Sequence, residues 1–202
     1  MKQPVKIAVL VSGGGTNLQA IIDYSAEGNL ASGVVVKVIS SNADAYALKR
    51  AEEANIETAV VVKKGKTQQE FESQIISELE SCGAEVIVLA GFMCILSKDF
   101  TDRYSERIIN VHPSLIPSFC GEGFYGLKVH QAALDYGVKI TGATVPFVNE
   151  IPDGGKIIMQ RAVKVKENDT PQSLQKRVME QAEWKILPAA LEDVCKSIRK
   201  EK

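Results

Sequence analysis

The sequence predicts an α/β protein in three layers, with a mostly parallel sheet between helices and an antiparallel part near the C-terminus. Short apolar runs alternate with segments of helical period up to residue 112, which indicates parallel strands joined by crossover helices. Val5–Val11 is a continuous β-branched run, typical of a strand buried on both faces. The short turn 149–155 joins two strand-like stretches and predicts that they pair antiparallel.

In the first half of the chain, predicted strands and helices alternate. The helix over residues 67–81 has the clearest pattern, because Phe71, Ile75 and Leu79 recur at helical spacing. The predicted strands are Val5–Val11, Gly33–Ser40, 58–62, 85–90 and 107–112, and the predicted helices are 17–27, 43–54, 67–81 and 97–104.

The pattern changes after the fifth strand. A loop rich in proline and glycine, residues 113–126, precedes a predicted helix, Leu127–Tyr136. One long helix is predicted to end the chain, because Leu174 and Val178 lie along one face of it. The predicted strands of this half are 139–148 and 156–165, and the long helix is 171–198. No repeat or linker interrupts the chain, so we predict a single domain over residues 1–202.

The composition fits a globular protein that needs neither disulfides nor metal to fold. Apolar residues make up 45% and charged residues 24% of the chain, which is enough to bury a core. The net charge of −1 gives no overall attraction to nucleic acid or membrane, and no apolar stretch could span a bilayer. The four cysteines form no CxxC pair, which argues against a structural metal site. Without a signal-peptide pattern, a cytoplasmic protein that binds no metal, nucleic acid or membrane is expected.

A glycine-rich loop, Ser12-Gly13-Gly14-Gly15-Thr16-Asn17, lies between the first predicted strand and the first predicted helix. Glycines let the backbone approach an anion closely, and the start of a helix presents unpaired N–H groups. Thr16 and Asn17 add side-chain donors. We therefore predict that Gly14, Gly15, Thr16 and Asn17 bind one phosphate group.

Two better-known kinds of nucleotide loop fit this segment poorly. A dinucleotide fingerprint needs a third glycine where this chain has Leu18, and an acidic residue after the second strand, where Ser41 and Asn42 stand. A nucleoside-triphosphate loop needs Gly-Lys-Ser/Thr, which is absent. A tight turn without a ligand stays open as the alternative, although the donors favour phosphate.

Asn110 and His112 lie at the carboxyl end of the fifth predicted strand. Residues two apart on a strand point to the same face, and open α/β sheets bind ligands beyond the carboxyl ends of their strands. An amide and an imidazole are thus predicted to face the cleft that holds the anion. A lone histidine is more often structural, but this position, the asparagine partner and the following Pro113 favour function.

Asp153 is a candidate third member of this group, in the turn Pro152-Asp153-Gly154-Gly155. By spacing alone, an Asp-Gly pair indicates an ordinary hairpin turn rather than a catalytic group. A catalytic role for Asp153 therefore needs support from elsewhere in the sequence.

Several segments resemble the folate-dependent formyltransferases, and within them the glycinamide ribonucleotide formyltransferases. The run Asn-Val-His-Pro-Ser-Leu-Ile-Pro at residues 110–117 is highly specific to that family. The glycine-rich loop narrows the resemblance to the purine branch or the related formyltetrahydrofolate hydrolase. The chain is too short for the extra domain of that hydrolase or of the methionyl-tRNA enzyme. The similar segments are 7–20, 89–93, 95–97, 110–117, 142–145 and 153–155.

The resemblance implies a Rossmann-like formyltransferase fold, with a phosphate-binding half over about residues 1–100 and a folate-binding and catalytic half over about 101–202. It implies transfer of the formyl group of 10-formyltetrahydrofolate to the amine of 5′-phosphoribosylglycinamide, giving N-formylglycinamide ribonucleotide and tetrahydrofolate in purine biosynthesis. Both partners are small molecules, the folate is a co-substrate, no metal takes part, and a monomer or homodimer is expected.

The resemblance also implies roles for individual residues. Asn110 and protonated His112 donate hydrogen bonds to the oxyanion of a tetrahedral intermediate. Asp153 keeps His112 charged and helps to move a proton from the amine to the leaving nitrogen, so the resemblance outweighs the simple turn interpretation. Glu183 resembles a helix glutamate that contacts the ribose. The folate ring is expected in an apolar slot lined by Phe92, Met93, Cys94, Ile95, Leu96, Ile108, Val148, Asn149 and Asp153, part of which is also ordinary core packing.

Two residues depart from the family pattern. Pro146 stands where the family usually has histidine, and because proline lacks a backbone donor it predicts an edge strand or a bulge. Cys94 stands where many relatives have arginine, which puts a side-chain contact to the folate tail in doubt. Activity is expected to survive both changes. The alternatives are a formyltetrahydrofolate hydrolase and a catalytically weakened homologue that binds folate or nucleotide.

Overall fold

A computed structural model describes residues 3–202 of the chain, and a parallel sheet forms its centre. The strands lie in the order β3-β2-β1-β4-β5, and each neighbouring pair is parallel. The strands are β1 (Val5–Val11), β2 (Gly33–Ser40), β3 (Glu57–Val60), β4 (Val86–Leu89) and β5 (Ile108–Asn110). The predicted parallel sheet is confirmed, although β5 ends two residues before its predicted end at residue 112.

The antiparallel part is a pair of strands, β6 (Ile140–Pro146) and β7 (Ile157–Lys164). Isolated antiparallel bridges, Ile109 to Phe147 and His112 to Thr144, attach β6 beside β5. The pairing of β6 with β7 shifts register at Pro146, which is the bulge that the proline predicts.

Helices cover both faces of the parallel sheet. Alternate residues of β1 face opposite sides, so Val9 packs in one hydrophobic core and Leu10 in the other. The first core includes Leu187 and other residues of the C-terminal helices, and the second includes Phe71 and Phe100. The helices are α1 (Thr16–Ala26), α2 (Tyr46–Glu53), α3 (Gln68–Cys82), α4 (Lys98–Arg103), α5 (Leu127–Tyr136), α6 (Pro171–Val178) and α7 (Trp184–Glu201). The predicted three layers are confirmed.

The helix predicted over residues 171–198 is present, since the chain stays helical from Pro171 to Glu201, but it is not α-helical throughout. A π-helical turn, Met179–Glu183, separates α6 from α7. A π turn inserts an extra residue into the helix, and here Ala182 and Glu183 are both buried. The apolar spacing in the sequence could not distinguish a plain α-helix from a helix with a π turn. Both α6 and α7 bury apolar residues in the first core.

Arg177 anchors α6 to the end of β7. Its guanidinium donates to the carboxylate of Asp169 and to the carbonyl oxygen of Lys164. Asp169 also accepts from the Lys166 N–H and the Ser173 hydroxyl. These hydrogen bonds, that of Arg177 foremost, hold the pKa of Asp169 far below its usual range. The anchor fixes the start of the segment that carries Glu183.

We expect Asp169→Asn to lower the free energy of unfolding by roughly 2 kcal/mol at neutral pH, because Arg177 loses its charged acceptor. Since folding depresses the pKa of Asp169, its contribution is complete above the unfolded-state pKa of about 3.9 and is lost as the pH falls below it. Urea unfolding at pH 7 and across the acid range measures both effects. A variant that is as stable as the parent at pH 7 would contradict the anchor. So would a variant that loses as much stability as the parent when the pH is lowered.

Candidate functional site

A cavity of about 1200 Å³ opens at the carboxyl ends of the parallel strands. It brings together residues predicted for four different tasks: phosphate binding, ribose binding, folate binding and catalysis. The predicted residues that line it are Thr16, Asn17, Phe92, Met93, Cys94, Ile95, Asn110, His112, Asp153 and Glu183.

His112 and Asp153 face each other in this cavity. Nδ1 of His112 lies 3.3 Å from Oδ2 of Asp153, and the two side chains are 6% and 11% exposed. Although β5 ends at Asn110, the chain stays extended to His112, because His112 and Thr144 exchange two backbone hydrogen bonds of 2.9 Å. Asn110 and His112 consequently both line the cavity, as their spacing predicts.

The turn between β6 and β7 gives Asp153 its position. Asp153 has a φ of 57°, in the left-handed region where aspartate and asparagine are enriched among non-glycine residues. A Cβ atom on Gly155 would lie 1.8 Å from the carbonyl oxygen of Phe147, so only glycine allows the chain to pass there. Asp153 therefore belongs to a hairpin turn and also faces His112, and the two interpretations of the Asp-Gly pair are compatible.

The loop after His112 supplies two backbone contacts that the sequence does not predict. The carbonyl oxygen of Phe119 lies 2.9 Å from Nε2 of His112, and the Gly121 N–H donates to Oδ2 of Asp153 at 2.9 Å. Because a carbonyl only accepts, Nε2 carries a proton here. The other ring nitrogen, Nδ1, faces the Asp153 carboxylate.

A second histidine, His130 on α5, lines the same cavity. Its side chain is almost completely buried. Burial, together with the nearby His112, lowers the pKa of His130 to about 4. His130 is therefore uncharged at neutral pH and adds no positive charge beside His112.

The glycine-rich loop packs tightly against α2. Gly15 has a φ of 73°, and a Cβ atom on it would lie 2.6 Å from Cβ of Ala47. Thr16 begins α1, so the first N–H groups of that helix have no helical acceptor and can meet an anion. The arrangement is suited to a phosphate held by backbone donors.

The side chain of Asn17 differs from the expectation that it would donate to the phosphate. Its Nδ2 donates to Oε2 of Glu183 at 3.0 Å. Burial raises the pKa of Glu183, and the hydrogen bond from Asn17 opposes that rise. The pair links the loop to the π turn, and no sequence signal indicates it, because 166 residues separate the partners.

A narrower slot of about 140 Å³ adjoins the cavity and shares Asn110 and Asp153 with it. The predicted folate residues that line this slot are Cys94, Ile95, Leu96, Val148 and Asn149. Ile108 is a correction: its side chain lines neither space, because it is fully buried in the second core. Its carbonyl oxygen accepts from the Val148 N–H at 2.9 Å and so holds one wall of the slot.

Two kinds of feature are absent from residues 3–202. No helix in this range combines the length and apolar character needed to cross a membrane. No cluster of three or more His, Cys, Asp or Glu side chains in the same range is placed to hold a metal ion.

Comparisons with known proteins point in one direction. The family model described as formyl transferase matches residues 5–191. The chain is 42% identical to phosphoribosylglycinamide formyltransferase of Haemophilus influenzae over 187 residues, 92% of this chain and 85% of that protein. It is 45% identical over 192 residues to the human trifunctional purine biosynthetic protein adenosine-3, where it spans 95% of this chain but only 18% of that protein.

Solved structures are similar as well. The crystal structure of glycinamide ribonucleotide transformylase 1 from Symbiobacterium toebii matches with a TM-score of 0.89 at 37% identity, covering 96% of this chain and 89% of that one.

We expect Gly15→Ala to lower the free energy of unfolding by about 2 kcal/mol, because the new methyl group meets Ala47 and the left-handed backbone disfavours alanine. Gly14→Ala is the matched control, since a Cβ atom there meets nothing within 4 Å. Urea unfolding of both variants measures the difference. Equal stability of the two variants would show that the close contact of the loop with α2 does not matter.

Proposed function

This chain belongs to the formyl transferase family, and we propose that it transfers a formyl group from 10-formyltetrahydrofolate to the amine of glycinamide ribonucleotide. The products are N-formylglycinamide ribonucleotide and tetrahydrofolate, in purine biosynthesis. The observation that carries the proposal is the convergence of Asn110, His112 and Asp153 with the start of α1 on one cavity. The similarity to phosphoribosylglycinamide formyltransferase of Haemophilus influenzae, which covers 92% of this chain and 85% of that protein, supports it.

In this proposal the ribonucleotide occupies the side of the cavity next to α1. Its phosphate accepts hydrogen bonds from backbone N–H groups of Gly14, Gly15, Thr16 and Asn17. Its ribose reaches Glu183, whose carboxyl is held in place by the Asn17 amide. One contact to this substrate, that of Glu183, thus comes from the C-terminal helices and not from the predicted phosphate-binding half, about residues 1–100.

The folate ring occupies the apolar slot. The slot shares Asn110 and Asp153 with the large cavity, so a formyl carbon held at the junction lies within reach of both. Met93 and Ile95, 63% and 70% exposed, provide apolar surface at the rim that a ligand can cover. The catalytic residues and most of the slot come from the second half of the chain, about residues 101–202.

The reaction is a direct transfer. The substrate amine forms a bond to the formyl carbon, and the carbonyl oxygen becomes a tetrahedral oxyanion that accepts hydrogen bonds from the Asn110 amide and the His112 imidazolium. Asp153 provides the negative charge opposite His112. The bond from the formyl carbon to the folate nitrogen then breaks, and the amine proton moves through water to that nitrogen.

One contact has to change during this reaction. Nε2 of His112 meets the Phe119 carbonyl oxygen, so it can donate to the oxyanion only after that carbonyl moves away. The proposal therefore includes a shift of the loop over residues 118–126. It needs only the two small-molecule substrates, and we keep the expectation of a cytoplasmic monomer or homodimer.

We expect the purified protein to form N-formylglycinamide ribonucleotide when both substrates are present, and to release little formate when the ribonucleotide is left out. Separation of the folate and nucleotide products by chromatography measures both. Formate release without the ribonucleotide that is as fast as folate turnover with it would overturn the transferase and favour a hydrolase. Absence of any turnover would favour a binding protein.

We expect Asn110→Ala to lower kcat roughly 10²- to 10³-fold while the KM values change little, because the amide acts on charge that develops in the transition state. Asn168→Ala, on an exposed surface residue, is the control and should behave as the parent. Steady-state kinetics with each substrate varied separate kcat from KM. A variant at position 110 with unchanged kcat would remove Asn110 from the mechanism.

A further inference from the structure

Residues of α2 hold two carbonyl groups of the glycine-rich loop. The Ala47 N–H donates to the Gly13 oxygen at 3.1 Å, and Nε of Arg50 donates to the Gly14 oxygen at 2.8 Å. In a trans peptide the N–H points away from the carbonyl of the same plane. The N–H groups of Gly14 and Gly15 therefore point away from α2, on the side where an anion can approach.

Arg50 is itself held from several directions. Besides the Gly14 carbonyl, its Nη1 donates to Oε1 of Gln19 at 2.9 Å, and its guanidinium lies 5.0 Å from the ring centroid of Tyr46. One side chain thus joins the loop, the first turns of α1 and the start of α2. Arg50 and Thr16 also line a common surface pocket of about 470 Å³, so the guanidinium lies beside the amino end of α1.

We propose that Arg50 is the positioning residue of the phosphate site. It holds the Gly14–Gly15 peptide so that the N–H points to the phosphate, and its permanent positive charge beside α1 adds to the attraction for a dianion. This inference rests on the proposed function, which supplies the phosphorylated substrate. Lysine cannot reproduce the role, because a single ammonium group does not match the fork that reaches both Gly14 and Gln19.

A purely structural role makes a different prediction. If Arg50 only ties α1 to α2, its removal changes stability and affects every substrate alike. If it positions the phosphate site, its removal affects only substrates that carry the phosphate. Glycinamide ribonucleotide and its 5′-dephosphorylated ribonucleoside differ in that group alone and so separate the two roles.

The experiment compares kcat and KM for both compounds in the parent, Arg50→Gln, Arg50→Lys and Lys49→Gln. Lys49 is the matched control, because it is the adjacent cation on α2 and its side chain is 61% exposed. We expect Arg50→Gln to raise the KM for the ribonucleotide roughly tenfold, with kcat, the folate KM and kcat/KM for the ribonucleoside unchanged. Arg50→Lys should recover only a small part of the loss, and Lys49→Gln should match the parent.

Several results would overturn the inference. Equal losses with ribonucleotide and ribonucleoside would make Arg50 a structural tie, and full recovery in Arg50→Lys would reduce its role to charge. Calorimetry with ribose 5-phosphate repeats the comparison without turnover, and unchanged affinity in Arg50→Gln would also refute it. A parent that does not distinguish ribonucleotide from ribonucleoside would instead refute the proposed phosphate site itself.

Discussion

Two hydrogen bonds between the backbones of His112 and Thr144 join the antiparallel strands to the parallel sheet, and the candidate site depends on this junction. His112 follows β5 of the parallel sheet, whereas Asp153 comes from the hairpin that follows β6. The two can meet only if β6 lies beside β5. The Thr144 hydroxyl strengthens the junction, because it donates to the Ser114 carbonyl oxygen and accepts from the Ile116 N–H. One threonine thus fixes both the chain after the histidine and the strand that leads to the aspartate.

Pro146 lies within this junction and weakens it at one point only. The Thr144 N–H donates to the His112 oxygen and the Val148 N–H to the Ile108 oxygen, and between them Pro146 has no N–H to donate. The strands stay paired on both sides of the proline. The bulge falls on the β7 side, at the outer edge of the antiparallel pair, where a change of register does not move His112. The pairing of β6 with β5 therefore survives this departure from the family pattern, and survival of the proposed activity stays a prediction.

The sequence predicted most of the fold, because buried parallel strands leave an unmistakable alternation of apolar runs and helices. Period-two spacing was sufficient to place Asn110 and His112 on one cavity, but spacing alone could not give Asp153 a role beyond its turn. Contacts made by backbone atoms, such as those from Phe119 and Gly121, leave no trace in residue types. The π turn and the hydrogen bond from Asn17 to Glu183 were not predicted for a related reason, because each depends on how the C-terminal helices pack. Ile108 was misplaced because an apolar residue near a slot can face either the slot or the core.

The central claim is that His112 and Asp153 act as one unit. A double-mutant cycle on kcat tests it most directly, with His112→Ala, Asp153→Ala and the double variant assayed with both substrates. The account predicts that each single change lowers kcat strongly and that the double variant is about as slow as the slower single one. Losses that multiply in the double variant would show that the imidazole and the carboxylate work independently, although 3.3 Å separates them.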